Sequence, residues 1–383
     1  SIQLLSMNDL HGQLDTVTTV GGKAAGQIEY TAAALKEREA ENPNTFIVHS
    51  GDMIGGSPLI SASFQDEPTV EVMEAIGFDA GTLGNQEFDE GIDELKRMIS
   101  GGDHKNGTEG YDGMDFPVVA ANAYDTRDGK LITEPYTILE AEGQRIGVIG
   151  VVTQETPEMI VRKGNETLKI TDEVEAINTY TDELKKEGIE AIIVLAHNPA
   201  IQEGYTDRYD ASKIAEQVED EVDIIFAAHN HVGMNRVVGN KLIVQAYSYG
   251  SAIADVDIEV DPVTGDIFHK EAEIVTVFQS DYTPDPEDGA IMDKYTALVE
   301  PIKAQVVGQS AETLVKGYPT IAQTNGDLAL GNLIADGMRV AMDADIAMMN
   351  GGGVRSPLEA GEVTFGDLFA IQPFGNVLNK ATL

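Results

Sequence analysis

The chain has no cysteine, no tryptophan, few basic residues and no apolar run near the roughly 18 to 20 residues of a membrane-spanning helix. Without cysteine it can form no disulfide, thiolate metal site or cysteine nucleophile, while the redox compartment stays open. Lysine and arginine number 25 against 65 aspartates and glutamates, a formal charge of -40. So acidic a surface repels nucleic acid polymers and anionic membranes, and favours solubility where salt or alkali is high. Any negatively charged substrate must then be attracted locally, and bound metal cations would do that. What the chain does have is length and apolar content: 383 residues, 42% of them hydrophobic, are enough for two domains and a large core.

The organising stretch is His49-Ser50-Gly51-Asp52, which follows the apolar run Thr45-Phe46-Ile47-Val48. An apolar run that ends in a carboxylate predicts a buried strand delivering an acid to the carboxyl edge of a sheet. Taken alone, Gly51-Asp52 reads more simply as a turn with an Asx hydrogen bond. Four other runs end the same way, however. Ile2 to Met7 leads into Asp9 and His11, Asp79 to Leu83 into Asn85, Ala191 to Ala196 into His197, and Val222 to Ala228 into His229 and His231. Helical periodicity over residues 25–40, 67–76, 92–99, 170–187 and 211–218 alternates with these runs, the pattern of a layered α/β fold.

Ala252 to Val260 and Ile267 to Val277, joined by a Pro-Gly turn, read as an antiparallel hairpin. Ser280 to Asp288, with two prolines and four acids, is expected to be a linker that opens into a helix from Ala290 to about Val307, kinked near Pro301. A second unit follows. It has a helical stripe of Leu328, Leu330, Leu333, Ile334 and Met338, a strand from Asp345 to Met349, and the glycine loop Asn350 to Arg355. Residues 100 to 115 read as an exposed loop, and Asn106-Gly107-Thr108 and Asn165-Glu166-Thr167 match the glycosylation pattern.

Together the strand ends gather Asp9, His11, Asp52, Asn85, His197, His229 and His231, four of the chain's seven histidines among them. Oxygen ligands mixed with imidazole, and no sulfur, suit Zn, Mn, Fe or similar divalent ions. One tetrahedral site needs four ligands, so seven with a shared carboxylate make two sites. Metal pairs about 3.5 to 4 Å apart suit in-line attack on phosphorus. His49 is expected to be structural, supporting the ligands rather than joining them.

Asn8-Asp9-Leu10-His11, Gly51-Asp52, Gly84-Asn85-Gln86-Glu87-Phe88-Asp89, His197 and His229-Asn230-His231 resemble the five blocks of the calcineurin-like metallophosphoesterases. Asn350 to Arg355 and Gln372-Pro373-Phe374-Gly375-Asn376 resemble the second domain of the 5'-nucleotidase family, in particular its bacterial secreted or wall-bound members. The resemblance implies a four-layer α/β/β/α sandwich over residues 1–280 and a linker and helix over 281–305. Residues 306–383 would be the N-terminal part of an α/β substrate-binding domain, C-terminally incomplete.

By the same resemblance Asp9, His11, Asp52 and His231 hold one divalent metal ion, and Asp52, Asn85, His197 and His229 the other, with Asp52 bridging. Arg355 would meet the phosphate, Asn350 the base or nearby groups, and Phe374 would stack on the base. Arginine binds phosphate oxygens as a fork, and an aromatic face takes any base. The implied activity is hydrolysis of nucleoside 5'-monophosphates such as AMP, by in-line attack of a metal-bound hydroxide. It would serve nucleotide catabolism in a secreted, extracellular or wall-associated protein whose signal peptide has been removed. The alternatives are a 2',3'-cyclic nucleotide phosphodiesterase, a UDP-sugar hydrolase, or a metal- and nucleotide-binding surface module of low activity. No membrane span is expected, and a long nucleic acid is disfavoured as a substrate.

The chain departs from the family pattern at defined places. Gln86 stands where the family has a histidine held by the aspartate at Asp89; both are expected at the leaving side, yet glutamine has no proton to give. Ala228 replaces the glycine usual before the His-x-His block. The segment from Thr313 to Asn325 has no arginine, so Arg355 is expected to work with fewer cationic partners. The chain stops at Leu383, before the second aromatic of the family's base clamp.

Overall fold

The computed structural model describes residues 1–201, 207–317 and 327–382. Its apolar runs become the parallel centres of two sheets, since strands covered on both faces need apolar side chains at every position. In the first sheet Ile2–Met7, Thr45–His49, Ala80–Thr82 and Val118–Val119 lie side by side and parallel. Ala252–Val260 joins Ile2–Met7 antiparallel, and Ile267–Thr276 forms the edge beyond it as the expected hairpin. The second sheet has Gln144–Val152, Ala191–His197, Val222–Phe226 and Lys241–Ala246 parallel at its centre. Tyr136–Ala141 and Gly233–Val238 close its two edges antiparallel.

Leu4, Val48 and Val256 of the first sheet pack on Val148, Leu195 and Phe226 of the second, forming the central core. Helices Ile28–Glu41, Glu67–Ile76, Ile92–Ser100 and Pro286–Lys303 cover the outer face of the first sheet through Leu35, Val70, Leu95 and Tyr295. Glu173–Lys186 and Ala211–Gln217 cover the second through Ile177, Leu184 and Ile214. The result is a four-layer α/β/β/α sandwich. One contact between the sheets needs glycine for space alone. A Cβ on Gly150 would lie 2.0 Å from Val119 O and 2.5 Å from Thr82 Oγ1.

Local pairing moves several boundaries away from the periodicity. Ala25 and Gly26 belong to a hairpin, Lys23–Gly26 with Val17–Val20, and the helix starts only at Ile28. The helix expected from Ile170 starts at Glu173, where the Asp172 side chain accepts from Glu175 N; Leu168–Ile170 is a strand paired with Ala123–Asp125. The expected linker from Ser280 to Asp288 is largely docked. Asp285 caps the helix Pro286–Lys303, which contains Pro301, and Lys36 reaches Asp285, Glu287 and Asp288 at 3.0, 3.3 and 3.1 Å. Asn165 is 7% exposed. Its amide donates to Phe88 O and Val161 O, so that glycosylation match is a buried structural residue.

In the C-terminal part Val306–Ser310 pairs with Gly361–Thr364, and Leu330, Val354, Leu358, Val363 and Ile371 make a small core. Of the expected stripe on the helix Ala329–Ala341, Leu330 is buried. Asp345 to Met349 is not a strand. No described strand runs beside it, and Ile346 and Met348 are 78% and 84% exposed. No described helix is long and apolar enough to cross a membrane.

Gly150→Ala is expected to lower stability by about 2 kcal/mol or more through overpacking, read from the denaturant midpoint. Burial pushes the Asp288 carboxyl up to about 7 even with Lys36 beside it. A carboxyl raised in the folded chain keeps its proton longer there, so its contribution is present at acid pH and lost as pH rises towards 7. Thermal unfolding followed between pH 5 and 8 should therefore fall less steeply for Asp288→Asn than for the unmodified chain.

Candidate dinuclear metal site

Every candidate ligand lies at the carboxyl end of a parallel strand, where loops from both sheets meet. Asp9, His11, Asp52, His229 and His231 have φ of 52°, 51°, 51°, 82° and 58°. Such left-handed conformations cost side chains with a Cβ on the order of 1 kcal/mol or more each, and surrounding bonds must hold them. Asp9 N donates to Gly51 O at 3.1 Å, His11 N to Asp52 O at 2.9 Å and Tyr249 N to Asp9 O at 2.9 Å. These bonds lace the first two strand ends to each other and to the turn at 247–250.

Two clusters result, Asp9 with His11 and His231, and Asp52 with His197 and His229, the ligand atoms of each lying within 4.8 Å of one another. Asp52 stands between them, with Oδ2 3.2 Å from His197 Nε2 and 3.8 Å from His11 Nε2. Asn85 Oδ1 completes the second cluster, 3.2 Å from His197 Nε2 and 3.0 Å from His229 Nδ1. In the first, Asp9 Oδ1 is 3.6 and 3.5 Å from the Nε2 atoms of His11 and His231, themselves 3.1 Å apart. All seven sequence-derived candidates are thus brought together.

The donor set fits two divalent cations on its own chemistry. His11 Nδ1 faces Gly55 O at 3.1 Å and His197 Nδ1 faces Ser50 O at 2.8 Å. A carbonyl only accepts, so those nitrogens carry protons and both Nε2 atoms face inward, where a cation would take the place of any proton on them. Asp9 Oδ1 is buried with no hydrogen-bond partner. Lone pairs, carboxylates and an amide oxygen converge, and cations are what they lack.

The field agrees. Burial works against it, yet His11 and His231 hold the Asp9 carboxyl well below the usual carboxylate range. Burial also opposes charge on His197, but Asp52, Asp9 and Glu87 push it up to about 10. The same carboxylates would favour a cation there. Burial drives His229 and His231 down to about 4, which keeps them neutral. His49 is buried, pushed down to about 3 by burial, and accepts from Gly51 N at 3.2 Å, in keeping with a structural part.

Glu87 was not singled out by the sequence. Its carboxylate accepts the N–H groups of Asp52 and Met53 at 2.9 Å each and of Gly84 at 2.5 Å, tying the second strand end to the third. Burial and the nearby Asp52 push it up to about 8. An acid between Asn85 and buried Phe88 was the only signal available. Asn8 was also missed as a support. It donates to Asp9 Oδ2 and Tyr247 O, both at 2.7 Å, and accepts from Ala246 N.

A cavity of about 670 Å³ opens over the clusters and is lined by Asp52, His229, Gln86, Asp89, Asn350, Arg355 and Phe374. Arg355 is 8% exposed, and its Nε and Nη2 have no partner while Nη1 donates to Gly352 O. Those two atoms are one edge of the guanidinium fork. The Arg355 guanidinium lies 5.6 Å from the centre of the Phe374 ring. Gln86 Oε1 is buried without a partner, and a Cβ on Gly56 would meet it at 2.7 Å and Phe374 Cε1 at 2.8 Å. Burial, Asp52, Glu87 and Glu90 push Asp89 up to about 8. Of the segment from Thr313 to Asn325, residues 318–325 lie outside the described residues.

A four-layer sandwich with paired Asp and His clusters at its strand ends defines a metallophosphoesterase. The chain belongs to the calcineurin-like phosphoesterase family, which residues 2–233 match, and residues 306–383 match the 5'-nucleotidase C-terminal domain. It is 50% identical to Endonuclease YhcR of Bacillus subtilis, over 99% of this chain and 31% of that protein. It is 33% identical to the Listeria monocytogenes cell wall protein Lmo0130, over 98% of this chain and 54% of that one. The chain thus spans about a third to a half of these curated relatives. Among solved structures, the 5'-nucleotidase precursor from Thermus thermophilus shares the fold with a TM-score of 0.83 at 24% identity, covering 98% of this chain and 74% of that one.

Glu87→Gln would set an NH2 group among three N–H donors. It is expected to lower stability by about 2 kcal/mol and to weaken Mn²⁺ binding roughly tenfold to a hundredfold. Scanning and titration calorimetry check the two effects separately.

Proposed function

We propose that the chain is a metal-dependent phosphohydrolase acting on nucleoside 5'-monophosphates, AMP among them, with Asp9, His11, Asp52, Asn85, His197, His229 and His231 as metal ligands. The observation that carries this reading is a cavity lined together by Asp52, Asn85, His229 and His231 of the ligand clusters, by Arg355 with its unpartnered edge and by Phe374. When bound, a divalent pair supplies positive charge for the phosphoryl oxygens and acidifies water.

The chain's own residues do the rest. Asp52 fixes the two clusters relative to each other. Arg355 offers Nε and Nη2 to two phosphate oxygens, Phe374 offers a face to the base, and the Asn350 amide recognises its edge or the groups nearby. Gln86 donates a hydrogen bond at the leaving side but cannot deliver a proton, and Asp89 follows it on the same tight turn. In this proposal residues 1–280 carry the chemistry, 281–305 connect, and 306–383 contribute recognition. The relative named a cell wall protein supports an exterior location.

Cleavage of polynucleotides is the second reading, favoured by the relative named an endonuclease. The -40 charge opposes a long polyanion. Phosphate release from AMP with Mn²⁺ supplied, run beside cleavage of single- and double-stranded DNA, separates the two. On the nucleotidase reading AMP is hydrolysed, Asp52→Asn abolishes turnover, and Gln86→His raises it about a hundredfold by restoring a proton donor. DNA cleavage without AMP hydrolysis would overturn that reading.

A further inference from the structure

Two of the candidate ligands come from one tripeptide and serve different clusters. His229 stands with Asp52 and His197, and His231 with Asp9 and His11, so the clusters meet on either side of Asn230. Both histidines have left-handed φ, 82° and 58°. The path of the chain through Asn230 therefore fixes where one cluster's histidine stands relative to the other's. That spacing matters, because a metal pair suits in-line attack only at about 3.5 to 4 Å.

What holds Asn230 is its own side chain. Nδ2 donates to Ala200 O at 2.8 Å, and Oδ1 accepts from Gln245 Nε2 at 2.8 Å and from Ala200 N at 3.4 Å. These bonds lead to both clusters. Ala200 lies on the loop that follows His197, and Asn198 O of the same loop accepts from Ala228 N at 2.9 Å, just ahead of His229. Gln245 precedes Ala246, whose N–H donates to Asn8 Oδ1 at 2.9 Å, and Asn8 Nδ2 donates in turn to Asp9 Oδ2 at 2.7 Å.

Gln245 breaks the apolar run of its strand. It is 1% exposed and follows buried Leu242, Ile243 and Val244. Its Oε1 has no hydrogen-bond partner, so among the described residues the bond to Asn230 is the one its side chain makes. Burying an amide with its oxygen unbonded is costly, and an apolar side chain would fill the same place without that cost. The bond to Asn230 is what the amide provides in return.

We infer that Asn230, held by Gln245, is a positioning residue that sets the separation of the two metal sites. This rests on the metal-ligand set of the proposed function and goes beyond it, since it makes the residue between two ligands responsible for the sites acting as a pair.

The test compares the unmodified chain with Asn230→Ala and Gln245→Met, each titrated with Mn²⁺ once circular dichroism has shown it folded. Calorimetry reads the affinity of each ion, and electron paramagnetic resonance tells a coupled Mn²⁺ pair from isolated ions; neither needs turnover. The unmodified chain should take up two ions and give the coupled spectrum. Asn230→Ala should keep one ion within about threefold and bind the other roughly tenfold to a hundredfold more weakly, with the spectrum of isolated ions in place of the coupled one. Gln245→Met should move both readouts the same way by about tenfold, and it decides the matter if Asn230→Ala does not fold. A coupled spectrum kept in the folded variants, whether the two affinities are unchanged or fall together, would overturn the inference. An unmodified chain that takes up a single ion overturns the ligand set and this inference with it. Failure to hydrolyse AMP with a coupled pair in place removes only the nucleotidase reading, and the spectra still decide the part played by Asn230.

Discussion

The arrangement of this protein depends on crowding acceptors together. Carboxylate oxygens, imidazole lone pairs and an amide oxygen meet at the ends of five parallel strands, and Asp9 Oδ1 is left with nothing to bond. Lone pairs so close repel unless a positive charge lies between them. The rest of the fold is built to resist that repulsion. Backbone bonds between loops hold five ligand candidates in left-handed conformations, and Glu87 pins the second strand end to the third. The two sheets beneath are closely packed, down to a position where only hydrogen fits on Gly150.

Charge is distributed to match. Acids outnumber bases 65 to 25, while Arg355 is withdrawn from the surface and lines the cavity. A net charge of -40 repels anions approaching from solvent, so any anion drawn to the cavity needs local positive charge such as that of Arg355. Acidic side chains elsewhere are drawn into structural work. Asp285, Glu287 and Asp288 converge on Lys36 and fasten the helix that precedes the C-terminal part.

Much of the candidate site was legible because most ligands stand at or just after an apolar run, and such runs are hard to mistake in a doubly covered sheet; Asn85, after the short strand Ala80–Thr82, is the weakest case. Asp52 and His197 became legible only as members of the ordered set, since alone each reads as an ordinary polar residue after a strand. Glu87 and Asn8 were not legible, since each bonds backbone groups that come close only after folding. Boundaries shifted for the same reason. Ala25 and Ile170 followed their strand partners rather than helical periodicity, and Asp345 to Met349 has a strand-like composition with no described strand beside it. Ser280 to Asp288 was expected to be a linker from its prolines and acids, but the charges that signalled solvent instead found Lys36.

That docking has a consequence for how recognition and chemistry meet. The helix Pro286–Lys303 is fastened to the catalytic layers, and only Ala304 and Gln305 separate it from the strand Val306–Ser310. A tether so short keeps the C-terminal groups at a high effective concentration over the strand ends. Whatever ligand the C-terminal part holds over the cavity would meet the candidate metal ligands as an intramolecular event, and two residues of tether leave it little room to be held anywhere else.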